Sequence, residues 1–323
     1  MRDYLGWKYG YNKENGDFII IPSKKYDIPK TFFKYYALND NSVDALTNMY
    51  IYASHPYLLN DPFDCDGELA KIEDYVSAKA IWENLFDNVK MIYNNDADLF
   101  KYTTECFSTL MFAKYGILSL TTTCENTIMW SSYANNNGFC LEFDVRNFPF
   151  KHIGPFPIHY VEMIEQGSSL NYNVQELVLI QSNVKNNCWQ YENEWRLLVM
   201  PPEGFDMKTF GKYSERLNQF PNLHDRKFRY PIKALKSIIL GVDFFKEPCE
   251  RQQIINQIPY ELHICYQKVC HETKILDFLD RLSKNDISAP IRLIVKTGLT
   301  YKIIPIVVSK INYLTYRITE IVY

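Results

Sequence analysis

The sequence predicts an α+β fold, and three observations carry that expectation. Short runs rich in aromatic and β-branched residues (FIII, KTFFKYYAL, MYIYAS, GILSLTTT, GFCLEFDV, EWRLLVM) recur along the 323 residues. Segments with helical apolar spacing fall between them without a regular βαβ alternation. Glycine is scarce at 12, and neither GxGxxG nor GxxxxGK[ST] occurs, which excludes nucleotide folds built on glycine-rich phosphate loops.

Taken in order, residues 1–30 are polar and turn-rich, with FIII (18–21) as one short strand. KTFFKYYAL (30–38) alternates as a half-buried strand does. Asn41 or Ser42 is placed to cap a short helix, and MYIYAS (49–54) is the next strand. Two prolines and several Asp/Asn make 55–67 a loop. Apolar residues at Leu69, Ile72, Tyr75, Val76, Ile81, Leu85, Phe86 and Val89 predict helix from 68, and a second helix covers about 97–114. Then come a strand (116–123), a short helix (125–135), a strand (138–145), an extended segment (158–164) and a helix over 174–190. EWRLLVM is a strand, 228–241 holds two more, 244–259 holds a helix, and ELHICYQ (261–267) closes the regular part. From about Ser288 the chain turns β-branched and aromatic and reads as three strands, with a turn at Thr297-Gly298. The organisation is thus an extension (1–30), a main domain (31–270) and a C-terminal β-rich segment (271–323).

Composition narrows the functional classes. Net charge is −3, so the chain is no polycation, yet Met207–Lys236 carries eight Lys/Arg against two acids. Arg281–Tyr323 carries seven against two. Such stretches suit an anionic partner or, equally, a solvated surface. The eight cysteines show no CxxC and no zinc spacing. The N-terminal MRDYLGWKYG has no apolar signal stretch, and no run of 18 apolar residues occurs, so a cytoplasmic protein without a membrane span is expected.

The stretch that raises a chemical question is YENEWRLLVMPP (191–202). At strand period Glu192 and Glu194 point to one side, where two carboxylates repel. A cationic ligand offsets that cost, and so does Arg196 on the same face. The bland reading of such a pair is a solvated rim. Trp189, Tyr191 and Trp195 supply flat surfaces around it.

EWRLLVMPP after a paired glutamate resembles the third signature of the ADP-ribosyltransferase fold, an ExE or QxE opening a strand. Ser119 and Thr121 in GILSLTTT are similar to its second signature, Ser-x-Ser or Ser-x-Thr. Lys34 in FFKYY stands where the first signature has Arg or His. More closely, the chain resembles a bacterial domain-of-unknown-function family, number 2971. The blocks are NDPFD (Asn60–Asp64), MWSSYA (Met129–Ala134), GFCLEF (Gly138–Phe143), WQYENEWR (Trp189–Arg196) and IILG (Ile238–Gly241), and the likeness spans about 32–265.

The transferase resemblance implies a split β-sheet core with inserted helices, NAD as cofactor and no metal. It implies that Glu194 stabilises positive charge on the ribose and holds a ribose hydroxyl, while Glu192 orients or deprotonates the acceptor. Ser119 and Thr121 then support the glutamate and the nicotinamide ribose, and a tyrosine from Tyr35, Tyr36, Tyr52 or Tyr133 stacks on nicotinamide. Lys34 and Asn60 border the cofactor pocket. The acceptor is a macromolecule, with RNA or DNA slightly favoured over protein by the basic segments and aromatics. A toxin or phage-defence effector of this kind needs restraint, and the C-terminal segment is a docking element for an inhibitory, antitoxin-like protein. Two other classes compete: a non-catalytic interaction module with an acidic rim, and a metal-dependent nuclease using Asp61, Asp64 and Asp66 with His55 nearby. For those aspartates an Asx-turn is the simpler explanation. Cys188 has no local His partner to make it a nucleophile.

Overall fold

A computed structural model describes residues 1–12, 14, 17–55, 59–79, 97, 100, 101, 103, 104, 115–199, 226–245, 260–263, 271–297, 300–312 and 315–320. It is α+β, with a large mixed sheet and several helices. In chain order come β1 (Arg2–Tyr4), β2 (Trp7–Asn12), β3 (Asp17–Ile21), β4 (Phe32–Tyr36), α1 (Asp40–Thr47), β5 (Tyr50–Tyr52), β6 (Ala70–Lys71), β7 (Gly116–Thr121) and α2 (Thr127–Ala134). Next are β8 (Phe139–Phe143), β9 (His152–Pro157), β10 (His159–Val161), β11 (Gly167–Ser168), α3 (Val174–Asn183), β12 (Val184–Asn186) and β13 (Glu194–Val199). The last are β14 (Lys227–Arg229), β15 (Leu235–Leu240), β16 (Tyr260–His263), α4 (His271–Lys284), β17 (Ile291–Thr297), β18 (Thr300–Asn312) and β19 (Thr315–Glu320). The chain divides into two compact units.

The first unit comprises Met1–Ile28, Tyr52–Ser119 and Phe150–Phe228. Its N-terminus is a three-stranded antiparallel meander, β1-β2-β3, where only one strand was expected. The missed signal is the alternation in Trp7-Lys8-Tyr9: Trp7 and Tyr9 are buried and Lys8 is exposed. The unit's core gathers Tyr4, Trp7, Tyr9, Ile117, Phe156, Leu198 and the apolar run Leu177–Ile180 of α3. A reciprocal cap starts α3: Asn173 Oδ1 accepts from Glu176 N at 2.9 Å, and Glu176 Oε2 accepts from Asn173 N at 3.0 Å. The helix expected over 174–190 stops at Asn183. The chain becomes β12, which pairs in parallel with β10, and then a tight helical turn over Asn187–Glu192. In this unit β13 lies between β7 and β9 with every residue buried: Trp195, Leu197, Leu198 and Val199 are apolar, and Glu194 and Arg196 are buried as a pair. Residues 67–69 form a tight helical turn and 70–71 a strand, where helix was expected. Regular helix is present at 75–79, and the rest of that expectation lies outside the described residues.

The second unit comprises Pro29–Ile51, Leu120–Pro149 and Arg229–Tyr323. Seven strands follow the order β16-β19-β18-β17-β15-β8-β4. The β15–β17 pair is parallel and its neighbours are antiparallel, so the three C-terminal strands extend the sheet. Glu142 of β8 ties them in, accepting from Ser237 Oγ at 2.7 Å and pairing with Arg292 at 3.4 Å. Only glycine fits at 138, where a Cβ would lie 2.1 Å from the Tyr36 carbonyl oxygen. Helix α1 is capped by Asn39, with Ser42 as the reciprocal partner, rather than by Asn41 or Ser42. Helix α4 was not anticipated, although Ile275, Phe278, Leu279 and Leu282 recur at helical spacing and are buried. The predicted 244–259 helix lies almost wholly outside the described residues.

Candidate functional site

Glu194 opens β13 and is buried at 4% exposure. Glu192 is not on that strand. It ends the preceding helical turn, and Asn193 reverses the chain between them in the left-handed conformation, with φ 45°. The two carboxylates still converge, on Lys185 of β12. Lys185 Nζ lies 2.7 Å from Glu192 Oε2, 3.2 Å from Glu194 Oε2 and 3.4 Å from Asp64 Oδ2. Its ammonium sits 4.8 Å from the Trp189 ring centroid.

Arg196 completes the group from the same face of β13. Its Nε donates to Glu194 Oε1 at 2.6 Å, and one terminal nitrogen donates to Glu194 Oε2 at 3.1 Å. The guanidinium also grips both oxygens of Asp64, and it donates to the Ser182 carbonyl at 2.9 Å. Ser119 of β7 adds a hydrogen bond to Glu194. Tyr160 of β10 accepts from the Glu194 backbone N–H at 3.0 Å. All of these residues belong to the first unit.

The electrostatics follow from this geometry. Burial alone pushes the Glu194 carboxyl up. Arg196 and Lys185, with the hydrogen bonds from Arg196 and Ser119, overcome that and hold it well below the ordinary carboxylate range. Lys185 is likewise opposed by burial but raised by Glu194, Asp64 and Glu192. The three carboxylates face two cations across these contacts, so the group has a formal charge of −1. Glu194 is thus fixed as an anion, suited to stabilising positive charge rather than to exchanging protons near neutrality.

Of the expected site residues, described contacts bring Ser119, Glu192 and Glu194 together. Asn60 is exposed in the same unit, on the loop that leads to Asp64. Lys34, Tyr35, Tyr36, Thr121 and Tyr133 belong to the second unit. There the Lys34 ammonium lies 5.8 Å from the Tyr36 ring centroid, and Tyr36 stacks on Phe139 at 5.4 Å. Tyr35 donates to the Thr123 carbonyl at 3.1 Å. Thr121 is buried, and its β7 pairs with β4 at Phe33. Tyr133 is half-buried on α2, whose Trp130 is a core residue.

Residues 129–197 match a family model described as Protein of unknown function (DUF2971). The resemblance to that family holds over these residues. No curated protein and no solved structure matches the chain. The DUF2971 segment contains three of the blocks read from the sequence and supplies Lys185, Glu192, Glu194 and Arg196. Asp64 enters from NDPFD, outside the matched segment, and its grip by Arg196 joins that block physically to WQYENEWR.

The NDPFD loop is built by its own aspartates. Asp61 Oδ1 accepts from Phe63 N at 2.9 Å, and Asp66 Oδ1 accepts from Glu68 N at 2.9 Å, the geometry of Asx-turns. Among the described residues, no group of three or more His, Cys, Asp or Glu is placed to hold a metal ion. Cys188 is exposed, and its N–H is taken by Asn186. The partners missed from sequence, Asp64 and Lys185, lie 130 and 9 residues from Glu194 and share no motif with it.

Proposed function

We propose that the anionic centre of the first unit serves NAD-dependent transfer of ADP-ribose to a macromolecule. The observation that supports this most is the hydrogen bond between Ser119 and Glu194, which joins the residues expected from the second and third transferase signatures. The residues suit such a donor: a permanently ionised carboxylate, a hydroxyl beside it, and a formal excess of negative charge that favours a cationic centre. Bound NAD supplies an electrophilic ribose carbon and a neutral nicotinamide leaving group. Glu194 lowers the energy of positive charge developing at that carbon. Ser119 keeps the carboxylate oriented, and Glu192 directs the incoming nucleophile of the acceptor.

The acceptor favoured here is RNA or DNA, because Arg229, Lys233 and Lys236 are exposed and the C-terminal strands are rich in Lys and Arg. In cells, the reading is of a toxin or defence effector, restrained by a protein partner at the C-terminal strands. Label transfer from NAD carrying a radioactive adenylate phosphate, offered RNA, DNA and protein in parallel, tests the acceptor. Labelled nucleic acid whose yield falls steeply with salt is expected. Labelled protein alone overturns the nucleic-acid assignment, and no label in any fraction counts against the transferase.

A second reading rests on a different observation. Both Glu194 oxygens already accept hydrogen bonds from Arg196, and Lys185 pairs with Oε2 as well. In that reading the group is a structural ion network inside a non-catalytic interaction module, and substitutions there change stability without any turnover of NAD.

A further inference from the structure

Tyr9, His159 and Asn183 form a hydrogen-bonded chain in the core of the first unit, drawn from three elements distant in sequence. Asn183 Nδ2 donates to the Pro157 carbonyl at 2.6 Å, so its Oδ1 is the acceptor that takes the Tyr9 hydroxyl at 2.7 Å. The hydroxyl proton is thereby committed. The 3.2 Å contact between Tyr9 Oη and His159 Nδ1 therefore needs the ring nitrogen as donor. The neutral ring carries its proton on Nδ1, and Nε2 is left as the site that protonates. The buried imidazole lies flat on Trp7, at 4.3 Å and 10°, and meets Tyr4 edge-on at 6.5 Å.

We propose that the N-terminal meander, β1 to β3, is an acid-releasable clasp, held closed by neutral His159 of β10 and opened when Nε2 takes a proton. Strand β10 also supports the anionic centre. Tyr160 follows His159, pairs with Lys185 in the β10–β12 register and holds the Glu194 backbone N–H. Opening the clasp uncovers the strand behind Glu194, so the device regulates that centre whatever its chemistry.

The groups packed around the ring fix the sign. Burial disfavours the imidazolium and lowers His159 to about 4, while Asp3 of β1 acts weakly the other way. Tyr4 is raised to about 12 and Tyr9 well above its ordinary value, both chiefly by burial, so neither ionises in the range concerned. Tyr172, which donates to the Asp3 carbonyl, is raised as well. The closed clasp thus has its full stability above pH 6.5, the ordinary histidine value, and loses it as pH falls towards 4. Between pH 8 and pH 5 the opening constant rises roughly 30-fold.

Hydrogen exchange of the β2 and β3 amides on the full chain, corrected for intrinsic chemistry, reads that constant. The wild type is expected to show the rise, and His159→Gln to show a flat profile. A flat wild-type profile, or an equal rise in the variant, overturns the clasp. If the variant does not fold, ring NMR of the wild type decides. A His159 that titrates near 4 in step with the β2 amide shifts supports the proposal, and one that titrates near 6.5 while those amides stay still overturns it.

Discussion

Arg196 determines what Glu194 can be. A carboxylate buried this fully would ordinarily favour its neutral form, and the guanidinium beside it reverses that preference. Arg196→Met leaves Asp64 and Glu194 with Lys185 as their remaining cationic partner among the described contacts, and should cost about 3–5 kcal/mol in denaturant unfolding, the range for breaking a buried pair. Arg196→Lys should recover only part of that, because a single ammonium cannot grip Asp64 and Glu194 together. Glu194→Gln leaves Arg196 and Lys185 with one anionic partner fewer, so it should also lower the midpoint, by less than Arg196→Met because the amide keeps the volume and an acceptor oxygen. The sequence made Glu194 and Arg196 legible as neighbours on one strand face. It could not show Asp64 and Lys185, because no local pattern links a turn near residue 64 to a lysine between α3 and the helical turn.

Asn193 is the hinge that lets two elements share one site. Its left-handed backbone ends the Asn187–Glu192 turn and starts β13, so Glu192 and Glu194 reach Lys185 from different elements. Asn193→Ala should destabilise by about 1–2 kcal/mol in thermal or urea unfolding, while Asn193→Gly stays near wild type. An equal loss for both variants would show that the side chain, and not the backbone, matters there. Strands with clear alternation or long apolar runs, such as β4, β7, β8, β13 and β15, were readable in advance. The helical pattern of α3 runs on in sequence past Asn183, because NVKNN continues it, but tertiary pairing with β10 turns Val184–Asn186 into a strand. Helix α4 carries its apolar stripe in HETKILDFLDRLSK, but it follows ELHICYQ, which reads as the last regular element before the C-terminal strands.

For the molecule as a whole, acid stability is set first by buried histidines. Burial lowers His159 to about 4, and burial together with Arg226 lowers His55 to about 3. Both are neutral in the fold, so the unfolded chain binds protons first as pH drops below 6.5. The unfolding midpoint should stay level from pH 8 to about 6.5 and then fall towards pH 4. Below the ordinary glutamate value, Glu194 adds a further loss, because its folded form resists protonation. A midpoint that does not change between pH 7 and pH 4.5 would contradict this order. Among the described residues, no helix is long and apolar enough to cross a membrane. The α+β class was legible from composition and periodicity, whereas the division into two units that each draw on three separate chain segments was not. Such a division depends on contacts remote in sequence, which periodicity does not report. The most direct test of the central claim is nicotinamide release from NAD by the wild-type chain and by Glu194→Gln, each with RNA, DNA and protein supplied. Release by the wild type is expected, with at least a hundredfold less (on the order of the loss for one electrostatic group) by the variant when both are assayed well below their own unfolding midpoints. Equal release by both proteins, or none by either, would contradict it.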